Sequence, residues 1–261
     1  MSEQPTGVDV ADPPPAESRP RRRSSRRTDW RLGGSTVARW RERTLAVALV
    51  AVGLSVIVGA LIASLWSSSW ASSLATVVGW VGMLVAVAWA LSRSRPIGLF
   101  VFRWVDVLFG LGLGIVLRTA AGWIDVDLGG SGAFPSYATV NGALSSTWWL
   151  DDLLGPVVIA PSLEELFFRG VLLVSLYTVL RRPFGKISAG LVAFLATTGF
   201  FVLLHAVAFD SGSAAAVSLA LLGGVCAALV LLTGRIWAAI VTHVVYNATF
   251  VILAVLGTLL G

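Results

Sequence analysis

The chain has 261 residues, of which 56% are hydrophobic and only 13% charged, and its mean hydropathy is +0.84. Those values exclude an ordinary soluble domain and define an all-α, polytopic membrane protein. The isoelectric point near 10.3 does not signal nucleic acid, because ten of the 19 basic residues lie before Thr44 with no aromatic-rich basic fold beside them.

In chain order, residues 1–43 are rich in Pro, Ser, Arg and acids, and so are expected to form a disordered, Arg-rich cytoplasmic tail. Such a tail obeys the positive-inside rule and suits contact with anionic headgroups. "SRRTDW" has the look of a twin-arginine export signal, but the apolar run after it is long and shows no small-residue cleavage site. An uncleaved first helix fits better.

Residues 44–261 form the transmembrane helical domain. About 20 apolar residues cross a bilayer, which predicts seven helices, near 44–66, 72–92, 99–122, 151–179, 188–209, 213–233 and 235–259. Arg103 and Asp106 make the start of the third the least regular. Arg93, Arg95, Arg181, Arg182, Lys186 and Arg235 fall on the side of the basic tail. Asp125, Asp127, Asp151, Asp152 and Asp210 fall opposite, beside Trp66, Trp70, Trp123, Trp148 and Trp149. That asymmetry predicts a cell-membrane protein with its N-terminus in the cytoplasm; Arg118 runs against it. Gly110, Gly112 and Gly114 give the third helix a G-x-x-x-G spacing suited to close packing.

Away from the helix ends few strongly polar side chains remain: Glu164, Glu165, Arg169, His205, His243 and Asn247. Each ionisable group at the bilayer centre costs about 2.5–3.5 kcal/mol on insertion scales. Residues four apart share a helix face, so Glu165 and Arg169 can neutralise each other, and His243 can share a face with Asn247 and Phe201 with His205. Glu164, turned about 100° from Glu165, is free to face another helix. Counting about 1.5 Å per residue brings Glu164 and His205 to the same depth, but leaves His243 shallower, at about 12 Å from Arg235. Pro161 is expected to break the helix, and Ser162 with Glu165 has the spacing of a capping box that would start a half-helix there. A carboxylate and an imidazole flanking a water can deprotonate it. A second imidazole and a carboxamide, His243 and Asn247, can stabilise an oxyanion. Polar glue between helices is the bland alternative for any one of these residues.

"EELFFR" (Glu164–Arg169), "FVLLH" (Phe201–His205) and "HVVYN" (His243–Asn247) follow E-E-x-x-x-R, F-x-x-x-H and H-x-x-x-N, in order, on three helices. Over residues 145–250 the chain therefore resembles the CPBP family, which contains CAAX prenyl proteases and bacteriocin-processing or self-immunity proteins. The resemblance implies an intramembrane glutamic endopeptidase acting on a membrane-associated peptide or protein. Glu164 and His205 would activate water, His243 and Asn247 would hold the oxyanion, and Glu165, Arg169 and Phe201 would support them. A prenylated cytosolic tail fits less well than a bacteriocin-like peptide, because the charge pattern sets Glu164 and His205 in the outer half.

No cofactor is expected, although Glu164, His205 and His243 are a chemically possible His2Glu metal set. "GGSG" (Gly129–Gly132) has the letters of a rhomboid serine site but lies among turn residues. No H-E-x-x-H occurs, and no two deep aspartates face each other. Two non-protease readings stay open: a non-catalytic binding, scaffold or immunity protein using the same pocket, and a small transporter, against which the lack of an inverted repeat counts. Cys226, the single cysteine, is expected to be packing.

Overall fold

The computed structural model describes residues 28–33, 36–68, 70–139, 141–209 and 212–260. Residues 1–27 of the expected tail, and Asp210, lie outside the described residues. Six helical runs are long and apolar enough to cross a membrane, and the longest has 59 residues. That run is broken at Gly185, whose φ of 79° and ψ of 173° are not helical. Seven arms result: α1 Glu42–Leu65, α2 Ala71–Arg93, α3 Trp104–Asp127, α4 over 149–184, α5 over 186–209, α6 Ser213–Thr233 and α7 Trp237–Leu260. The all-helical expectation holds, and the boundaries shift by a few residues.

Small residues set how closely the helices approach, as expected where lipid gives no hydrophobic drive to association. In the α1–α2 hairpin, a Cβ on Gly82 would run into Ser55 and the Ala51 carbonyl. In α3, a Cβ on Gly110 would meet Val241, and one on Gly114 would meet Val245 and the Thr242 carbonyl. Gly112, between them, faces open space. The G-x-x-x-G spacing is therefore a seat for α7, the helix that carries His243 and Asn247. Arg118, the outlier of the charge pattern, lies on the same seam. Its guanidinium donates to the Tyr246 carbonyl at 3.0 and 3.2 Å and stacks 3.8 Å from the Tyr246 ring.

The third helix starts later than expected. Residues 97–100 form a separate short turn, and the Arg103 amide donates to Asp106 in the first turn of α3. Asp106 is fully buried and receives a bidentate pair from Arg235, the nearest contact at 2.6 Å.

Within the expected tail, residues 28–33 and 36–43 are described and make specific contacts with the helices. Trp30, Val37 and Trp40 are buried to within 1% of complete. The Trp30 indole donates to the Gly234 carbonyl at 3.0 Å, and the Trp40 indole donates to the Ala90 and Ser94 carbonyls. Arg31 donates to the last carbonyls of α6, Leu231 and Leu232, where a cation complements the helix dipole. Arg181 in turn donates to the Arg31 carbonyl at 2.9 Å. Buried indoles that find carbonyl partners outweigh the polar, proline-rich composition around them. The connection 233–236 is thereby drawn inward, with Ile236 fully buried beneath 28–33 and 97–100.

Two outcomes follow. Gly114→Leu should destabilise the detergent-solubilised protein by about 1–3 kcal/mol, while Gly112→Leu leaves its thermal midpoint nearly unchanged; equal effects would refute the seat. Asp29 accepts from Arg31, and that hydrogen bond holds its carboxyl below the ordinary value of 3.8. A depressed folded value means a contribution complete above about pH 4 and lost as the pH falls further. Amide exchange at 30–33 should therefore stay slow down to about pH 4 and rise below it; exchange already fast at neutral pH would refute the clasp.

Candidate functional site

The site is built on α4, where the backbone is irregular. Wider π-type turns run over Trp149–Ile159 and Leu166–Leu173, with one α-helical stretch, Ala160–Glu165, between them. Such turns cluster at functional sites. Pro161 does not start a half-helix, contrary to expectation: Ser162 makes no capping bond, and the helix runs on through it. The reason lies in the π pairing. The Ala160 amide bonds back to the Gly155 carbonyl, so the next donor in that pattern would be residue 161, which as proline has no N–H. The Pro156 carbonyl is left without a backbone partner, and Asn247 of α7 supplies one, its side-chain amide donating at 2.7 Å.

Glu165 is the fixed point of the cluster. One oxygen lies 3.0 Å from Arg169 and 2.9 Å from Nδ1 of His243, and neither Glu165 nor Arg169 has any exposed side-chain surface. The i, i+4 pairing is as the spacing predicted. Arg169 also donates to the Gly223 carbonyl of α6 at 2.8 Å and lies 4.8 Å from the Phe201 ring. A carbonyl on Gly223 is reachable because a Cβ there would stand 3.1 Å from both Arg169 and Phe201.

Glu164 points elsewhere, also as expected. Its carboxylate lies 3.9 Å from Nε2 of His205 and 3.7 Å from Nε2 of His243. Both separations exceed a direct hydrogen bond. Glu164 and His205 keep 12% and 18% of their side-chain surface exposed, against 0% for Glu165, so of the two carboxylates Glu164 is the one placed to meet water. His205 Nδ1 is 2.9 Å from the Phe201 carbonyl; a carbonyl only accepts, so that nitrogen carries the proton and Nε2 is the one turned to Glu164. The Phe201 ring packs against both imidazoles, 4.3 Å from His205 and 5.8 Å from His243.

The structure thus brings together six of the seven sequence-derived residues, with Arg169, Phe201, His205 and His243 around the two glutamates, while Asn247, one turn further along α7, bonds to the Pro156 carbonyl instead. His243 lies 3.7 Å from Glu164 despite its apparent shallowness, and Ile236 in the connection before α7 is fully buried. Two partners escaped the sequence reading: the Gly223 carbonyl, signalled only by the Gly223–Gly224 pair, and the Pro156 carbonyl, signalled by a second proline five residues on. Cys226 is fully buried, its thiol 3.6 Å from the Ala239 carbonyl. Among the described residues, no group of three His, Cys, Asp or Glu side chains is arranged to hold a metal ion.

The structure thus sets one carboxylate beside two oriented imidazoles inside a helical bundle. Comparison with known families agrees: residues 146–249 match the family described as type II CAAX prenyl endopeptidase, Rce1-like. The resemblance read from the three motifs is thereby shown over about two fifths of the chain, and it supports a multi-pass membrane protein of the protease, hydrolase kind. No curated protein and no solved structure matches the chain.

Two substitutions test the geometry. Arg169→Met should cost about 3–5 kcal/mol, because it leaves Glu165 a buried charge with one partner fewer; a change under about 1 kcal/mol in detergent unfolding would contradict the pairing. Asn247→Ala should cost about 1–3 kcal/mol by orphaning the Pro156 carbonyl. In a Pro161→Ala background the restored N–H should absorb much of that penalty. Equal penalties in both backgrounds would rule out the proline-made vacancy.

Proposed function

We propose that the chain is an intramembrane, glutamate-dependent endopeptidase that hydrolyses a peptide bond of a membrane-associated peptide or protein. The observation that carries this is Glu164, partly exposed and set 3.7–3.9 Å from two imidazole nitrogens. A water in that gap gives a proton to Glu164, with His205 Nε2 accepting its other hydrogen bond, and its oxygen attacks the scissile carbonyl. The Glu165 carboxylate accepts from Nδ1 and orients His243, which as an imidazolium donates from Nε2–H to the developing oxyanion. Asn247 has a second amide proton for the same purpose, the first being held by Pro156. Glu164 then passes its proton to the leaving amine, which restores the carboxylate.

The matched family name speaks of CAAX prenyl endopeptidases, so a prenylated C-terminal peptide is one substrate class to test. A bacteriocin-like or other membrane peptide is the class we favour, because the charge pattern sets Glu164 and His205 in the outer half. No cofactor is required by these steps. A non-catalytic immunity or scaffold role would use the same pocket without turnover.

Glu164→Gln keeps the shape and removes the base, and should lower turnover by roughly 10²–10⁴. Protein N-termini compared by mass spectrometry in membrane and secreted fractions, with wild-type chain or the variant, supply the readout. A fragment seen only with the wild type, and persisting in the presence of chelators, is expected. Fragments lost to chelators would replace the glutamate mechanism with a metal at Glu164, His205 and His243. Identical fragments from both chains would leave the binding role.

A further inference from the structure

Away from the site, the start of α1 and the end of α2 enclose a cleft of about 510 Å³, walled by Arg39, Arg41, Arg43, Arg93, Glu42 and Trp89. Four cations share it with one carboxylate, and Glu42 is spent on Arg41 at 3.0 Å. Among the described residues no carboxylate forms an ion pair with Arg39, Arg43 or Arg93. The cluster is held in place rather than splayed. The Arg39 guanidinium donates to the Arg93 carbonyl at 3.3 Å, and Arg93 stacks 4.9 Å from the Trp89 ring. Trp40 fixes the connection by its two bonds to the end of α2. Guanidinium groups brought together without counter-charge repel unless an anion joins them, and their fork geometry suits a phosphate. A volume in the usual range of small-ligand sites accommodates a headgroup.

The surroundings name the source of the phosphate. Along the same helices, Val50 of α1, seven residues from Arg43, and Val85 of α2, four residues from Trp89, share those side chains' faces and stand more than half exposed, at roughly 10–12 Å from the arginines. That is an apolar track leading from the cleft into the bilayer. We propose that the cleft is a binding site for an anionic phospholipid: its phosphate is held by Arg39, Arg43 and Arg93, its glycerol region lies against Trp89, and its acyl chains run past Val50 and Val85. The lipid would pin the α1–α2 hairpin in the leaflet on that side.

Full-length protein in detergent, titrated with phosphatidylglycerol and observed intact by native mass spectrometry, tests the site. Arg39→Gln with Arg93→Gln should lower phosphatidylglycerol retention by roughly tenfold or more, with weak phosphatidylcholine binding unchanged. Arg41→Gln with Arg43→Gln, which breaks no bond between elements, should lower it in the same direction and controls for misfolding of the first variant. Neutralising Arg21, Arg22 and Arg23 should leave retention within about twofold. Retention unaffected by both cleft variants, or abolished by the 21–23 variant alone, would overturn the proposal. So would inorganic phosphate displacing the lipid at equal concentration, which would mark a free-anion site.

Discussion

Everything around the site depends on the Glu165 carboxylate being shared between Arg169 and His243. It has no exposed surface, so in an apolar interior it must be paired on the spot or raise the energy of the fold by several kcal/mol. Its pairing joins α4 to α7 through His243 and, by way of Arg169 and the Gly223 carbonyl, α4 to α6. Phe201 of α5 lies between Arg169 and both imidazoles. One buried charge thus gathers four helices, and it turns His243 so that its far nitrogen faces Glu164.

Two adjacent glutamates divide structural and chemical work because a helix turns them apart. Glu165 is locked and dry, while Glu164 retains contact with solvent and lies 3.7–3.9 Å from two imidazoles. The irregularity of α4 belongs to the same design. Wide turns accommodate Pro156 and Pro161 without breaking the helix, and the one carbonyl they orphan becomes an anchor for Asn247. Asn247 is therefore a structural tie as well as a candidate oxyanion donor, with one amide proton for each purpose.

The start of α7 is held at the basic end. Trp30 and Arg31 close over the α6–α7 connection, and Asp106 draws Arg235 against the start of α3. Gly110 and Gly114 then let α7 lie against α3 at backbone distance. The segment that contributes Trp30 and Trp40 also contributes three of the four arginines of the proposed lipid cleft, Arg39, Arg41 and Arg43.

Much of this was legible in the sequence, and for a local reason. Helix number follows from the length of apolar runs, and the faces of Glu165–Arg169, Phe201–His205 and His243–Asn247 follow from a period of 3.6 residues. Those two rules yielded the helical bundle and the grouping of its polar residues. The burial of Trp30 and Trp40 was hidden, because the composition around them is polar and the carbonyls that receive their indoles lie 50 or more residues away. So was the tie between Asn247 and Pro156, which depends on a π-type register that no hydropathy pattern encodes. The sequence by itself determined which side chains share a face and which ones a bilayer would not tolerate unpaired. That His243 meets both glutamates emerged from the fold alone, because contacts between helices depend on long-range packing of the connections and not on periodicity along any one helix.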